Sequence, residues 1–132
     1  MAQVTRRESA SLDASTGIVA PQISGDLVAG EDLDNCSACY IAADGKAYMS
    51  DGAAAGAKAT FHGICPRAAK RNQAVSLYGP GTRFGYGDGM TPGALYLGTA
   101  PGTLADAATT GGTDAVAFAV SSRDIMVAAY QL

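Results

Sequence analysis

Hydrophobic positions along this chain come in short runs, many alternating with polar or small residues, and Gly or Pro interrupts them every few residues. Side chains alternate across an extended strand, so these runs predict strands. They fall at residues 22–28, 37–43, 46–50, 58–64, 73–78, 82–86, 94–98, 103–106, 115–120 and 125–131. Asp44-Gly45 separates the second run from the third and is a hairpin signal. Pro101-Gly102 marks another turn, because Pro presets one φ and Gly accepts a positive one. Ala53-Ala54-Ala55 is bracketed by Gly52 and Gly56 and reads as a loop. The expected fold class is all-β, a small barrel or sandwich of short strands. The inward positions expected from this phase are Val28, Tyr40, Ile41, Phe61, Ile64, Val75, Leu77, Leu95, Leu97, Val116, Phe118, Val120, Ile125 and Val127.

The pattern is absent from the first stretch. Residues 1–24 are dominated by Ser, Thr, Ala and charge and show no sustained period, which predicts an extended N-terminal arm ahead of a β-rich body at 25–132. Ile18, Val19 and Ile23 are apolar enough to plug small grooves near the body, and Arg6 and Arg7 suit carboxylates on a neighbouring surface. Within the body a faint repeat recurs at a spacing of about 56 residues. CYIAADGKAYMSD, and later ATFHGICPRA, find counterparts in LYLGTAPGTLADA and AVAFAVSSRD. Tyr40 matches Tyr96, Gly45 matches Gly102, and Phe61 matches Phe118.

Composition narrows the picture. The 132 residues suit one domain, and 17 Gly with 5 Pro leave no room for long helices. Only 16% of residues are charged, a composition that favours assembly over solitary solubility. The formal net charge of -3 excludes a dedicated nucleic-acid binder, which needs a basic face. No apolar run has the length of a membrane-spanning helix, and residues 1–20 lack the apolar block of a secretion signal. Three Cys suit reduced thiols better than a disulfide framework.

Candidate chemistry is sparse. Cys36, Cys39, His62 and Cys65 form a C-x2-C and an H-x2-C, a zinc-ligand set by type. Residues i and i+3 of a strand point to opposite faces, so convergence on one ion would need two tight knuckles. The alternative, small thiols filling an Ala-rich core, is preferred. His62 is the only histidine and no G-x-S-x-G elbow is present, so no catalytic site, metal or cofactor is expected. The Gly-rich passage 79–89 lacks G-K-[ST] and a following helix, which argues against phosphate binding. Phe84 and Tyr86 alternate there with Gly85 and Gly87, which suits packing or contact, and both are candidate contacts to another chain. Arg67, Lys70, Arg71 and Arg83 make the one basic cluster, with Arg67 and Arg71 as candidate contacts to an acidic protein partner.

Two passages carry a resemblance: DLVAGEDLDNCSACYIAADGKAYMSD, and GMTPGALYLGTAPGTLADA with AVAFAVSSRDIMV after it. In this pattern of Gly turn, Tyr-Ile or Tyr-Leu, Gly turn and returning strand, the chain resembles the small β-rich head decoration, or cement, proteins of tailed bacteriophages. The resemblance covers the chain beyond the arm. It implies a non-enzymatic structural protein, made in the host cytoplasm and carried on the outer capsid surface of the virion. Its implied partners are the major capsid protein and itself, as a homotrimer, with no nucleic acid and no membrane. The rival reading is a trimeric fibre or tail-tip receptor-binding domain.

Overall fold

The computed structural model describes Val4, residues 6–12, 22–23, 26–53 and 56–132, with the backbone alone for 6–12 and Gln22. The chain is almost entirely β. Its strands are β1 (Arg6–Leu12), β2 (Gln22–Ile23), β3 (Ser37–Ile41), β4 (Ala47–Met49), β5 (Gly63–Cys65), β6 (Leu77–Tyr78), β7 (Arg83–Gly87), β8 (Gly93–Leu97), β9 (Leu104–Ala105), β10 (Ala117–Ala119) and β11 (Asp124–Val127). They form two antiparallel sheets, ordered β2-β6-β5-β3-β4 and β1-β7-β11-β10-β8-β9. The second curls into a half-barrel. Its outer strands β1 and β9 approach through Val4, whose N–H donates to Leu104 O at 3.1 Å.

Both turn signals act as expected from their chemistry. In the β3–β4 hairpin Gly45 takes φ 80°, its N–H donating to Ala42 O, while Asp44 Oδ1 accepts from Lys46 N–H at 2.9 Å. In the β8–β9 hairpin Thr103 N–H donates to Ala100 O across Pro101 and Gly102, with Gly102 at φ 75°. That arrangement is a type II turn.

The two sheets share one design. β2 to β6 are ordered 2-6-5-3-4, and β7 to β11 are ordered 7-11-10-8-9, the same sequence of neighbours with every strand number raised by five. The registers agree as well. Ala38 faces Ile64, which faces Tyr78, which faces Gln22. Correspondingly Ala94 faces Phe118, which faces Met126, which faces Arg83. The faint sequence repeat is therefore a repeat of topology, anchored by Tyr40 and Tyr96. One sequence match was misplaced: the register makes Phe118 the counterpart of Ile64, not of Phe61.

Each sheet encloses an apolar core on its concave face. For the first these are Ile23, Ile41, Cys39, Ala47, Cys65 and Leu77, closed by Leu27, Ala29, Leu33, Ala69 and Val75. In the second the same positions hold Phe84, Leu97, Leu95, Leu104, Ala119 and Ile125. The larger core is closed by the convex face of the first sheet, which delivers Cys36, Ala38 and Ile64. Tyr78 joins them, its ring edge-on to Phe84 at 6.0 Å.

Several expectations are corrected. Residues 58–64 begin as a 3-10 turn at Ala57–Ala59 and become a strand only at Gly63. Phe118 was expected inside and is 41% exposed. Its neighbours Ala117 and Ala119 point inward instead, because Phe84, Tyr86 and Ile125 already fill the narrow interior and leave space only for methyl groups. Val116, of the same parity as Phe118, turns inward where its carbonyl accepts from both Ala128 and Ala129 N–H, an irregularity that resets the alternation. Val28, Ile41, Val75 and Val120 are half-buried rather than buried. The arm expected over residues 1–24 lies for the most part outside the described residues; within it Arg6–Leu12 pairs with β7 and Gln22–Ile23 with β6. Ile18 and Val19 lie outside the described residues.

Candidate functional site

The cysteines and the histidine sit on and beside the central strand β3, and the strand sorts them. Cys36, at φ 56°, sends its side chain into the larger core, with its thiol 3.9 Å from Gly85 O. Cys39 points the other way, into the smaller core with Cys65. Cys39 Sγ lies 3.3 Å from Ser37 Oγ, and Cys65 Sγ donates to Arg67 O at 3.2 Å. Burial pushes the Cys39 thiol up to about 12 and raises that of Cys65, so both remain protonated at neutral pH. A protonated thiol is a poor nucleophile and a poor metal ligand. His62 Nδ1 accepts from Ile41 N–H at 2.8 Å, and the His62 N–H donates to Cys39 O at 2.8 Å. This leaves the proton of the neutral ring on Nε2, and burial lowers the pKa of the ring. These groups hold backbone together. Among the described residues no three His, Cys, Asp or Glu side chains are gathered as a metal site.

The basic cluster divides. Arg67, Lys70 and Arg71 are exposed on the connection from β5 to β6. Asp32 ties down that connection, accepting from Arg71 N–H at 3.0 Å and facing Lys70 Nζ at 3.8 Å. Arg67 lines an open groove of about 780 Å³ together with Cys65, Gln73, Val75 and Tyr78. Arg83 lies on the other sheet, paired with Asp124 at 3.0 Å. Phe84 and Tyr86, expected as contact residues, are corrected: both side chains are sealed in the larger core and touch no solvent. Arg6 and Arg7 lie on β1 at the edge of the second sheet, and half-buried Ile23 packs on the smaller core.

Comparison with protein-family models, with curated proteins and with solved structures returns no match. Function is therefore read from the surface this chain presents.

Its most distinctive surface is the convex face of the second sheet. Ala94, Phe118 and Met126 lie side by side across β8, β10 and β11, and the row ends at Arg83 on β7. Ala94 and Phe118 are exposed and Met126 is half-buried. A large ring at the middle of a sheet, flanked by small residues, is suited to close contact with another surface. Sequence reasoning missed this face because Phe118 was assigned inward. A signal was present, since the flanking alanines at 117 and 119 are what a crowded interior selects.

Proposed function

We propose that this chain is a structural, non-catalytic decoration protein of a tailed-phage capsid. It binds the outer shell through its surface and stabilises neighbouring major capsid subunits, assembling with itself as a homotrimer. The observation that carries this reading is the repeated β unit. One convex face is buried in the molecule while its equivalent is left outside, and the chain's thiols and imidazole are spent on holding strands. Such a body offers rigid faces rather than a reaction centre. The resemblance supports the same reading, because its two passages contain the paired hairpins β3–β4 and β8–β9. Arg67 and Arg71, exposed beside the groove on the first unit, supply positive charge for an acidic protein surface. Attachment at several points raises avidity without a single strong contact.

The test is quantitative mass spectrometry of purified particles. A decoration protein is present at on the order of hundreds of copies per particle, whereas a fibre or tail-tip domain is present at tens. The expected result is hundreds, together with particles that lose heat resistance when the chain is removed. Copies in the tens would establish the fibre reading instead, and a chain absent from particles would overturn both.

A further inference from the structure

We propose that copies of this chain associate through the convex face of the second sheet, with Phe118 of each copy at the shared symmetry axis. This deepens the self-assembly part of the reading above and does not depend on the capsid. The first argument is the internal repeat. Ala38, Ile64 and Tyr78 form the corresponding row of the first unit, in the same register, and that row is packed against the core of another β unit. The fold thus already contains one example of this apolar row covered by a sheet of the same design, there by that sheet's concave side. In the second unit the row remains apolar, as Ala94, Phe118 and Met126, although nothing within the described chain covers it. A solvated face would be expected to carry charge at its centre.

The second argument is charge. Arg83 and Asp124 lie side by side on this face, their side chains paired at 3.0 Å. Among the described side chains of this face one cation lies beside one anion, so neither an acidic nor a basic partner is favoured. A second copy brought to it by a symmetry axis can set each arginine near the other's aspartate, without like charges meeting. The small side chain of Ala94 lets the backbones approach, and Phe118 supplies the aromatic anchor such contacts use.

Sedimentation velocity of the full chain over a range of concentrations tests this. The wild type is expected to sediment as a multi-copy species, whose mass gives the copy number. Phe118→Asp and Ala94→Arg should dissociate it to monomers, weakening association by roughly tenfold or more, with thermal unfolding still cooperative. Ala94 lies one strand, about 5 Å, from Phe118 at the axis, so Ala94→Cys should be linked between copies by a short bis-maleimide while the buried native thiols stay unreacted, and this readout does not depend on a disruptive substitution. A wild type that is monomeric at every concentration overturns the proposal. So does a multi-copy species that both disruptive variants preserve, or an Ala94→Cys chain that stays uncrosslinked. Particle decoration measured with the same variants bears on the capsid reading alone, so either idea can fail without the other.

Discussion

The two β units share strand order and register, yet they treat equivalent positions in opposite ways. Ile64 and Phe118 occupy the same place in the design. Ile64 is fully buried, whereas Phe118 is 41% exposed. The concave faces differ too: the first holds Cys39, Ala47 and Cys65 where the second holds Leu95, Leu104 and Ala119. Hydrogen-bonding pattern alone therefore does not decide what a strand position experiences. What lies against the sheet does. Among the described residues, the first unit is covered on both faces, by its own connections and by the second unit, while the second is covered on one.

The sharpest way to test this comparison is paired truncation. Ile64→Ala removes a side chain from a packed interior and should cost about 3 kcal/mol, whereas Phe118→Ala should cost about 1 kcal/mol or less in the isolated chain. Urea unfolding of both variants at a concentration where the chain is monomeric measures the difference. Equal losses would mean that the two faces are equally covered.

The joint between the units is the next target. Gly102 N–H donates to Ser50 O at 2.7 Å, and Gly102 O accepts from Ala38 N–H at 3.0 Å. A Cβ at Gly102 would approach Met49 Sδ and Ser37 Cβ to 2.9 Å, and the residue sits at φ 75°. Gly102→Ala should therefore destabilise by about 2 kcal/mol, from left-handed backbone and crowding together. Gly45 is the corresponding hairpin glycine of the first unit, at φ 80° with open space around it. Gly45→Ala should cost only the backbone part, about 1 kcal/mol. Thermal melts of the pair separate conformational strain from docking.

Smaller effects concern the thiols and the imidazole. Because all three cysteines are buried, a thiol reagent at pH 8 should modify none of them in native protein and all three after unfolding. Rapid modification of the native chain would show that the smaller core opens. For His62, burial holds the folded-state pKa below its ordinary value of 6.5. As pH falls through that value the unfolded chain takes up a proton before the folded one does. The stability present at higher pH is then lost progressively as pH falls toward the folded-state pKa. The urea midpoint should drop between neutral and mildly acidic pH. It should drop less in His62→Asn, whose side-chain oxygen can still accept from Ile41 N–H.

Much of the architecture was legible in local chemistry. The runs at 37–43, 46–50, 82–86, 94–98, 103–106 and 115–120 each hold a strand to within one residue, because alternation and turn residues act over a few positions. Asp44-Gly45 and Pro101-Gly102 were readable for the same reason. The run at 58–64 was not: there Gly56 O accepts from Ala59 N–H and bends the chain into a 3-10 turn before the strand begins. The cysteines were legible as core by strand geometry, since Cys36 and Cys39 had to fall on opposite faces. Phe84 and Tyr86 were not, because glycines beside a ring suit a packed interior as well as a contact surface.

By itself, then, the sequence determined that this chain is built of short strands, where two of its hairpins turn, and that its halves repeat a pattern. Only the tertiary structure decided which side of each strand is inside. The physical reason is that a period of two places neighbouring side chains on opposite faces and says nothing about which face is covered. At β10 the choice depended on the rings of β7, some thirty residues away in sequence, which occupy the interior and leave Ala117 and Ala119 as the residues that fit. Phe118 was turned outward by that crowding, and with it the face through which copies of this protein are proposed to meet.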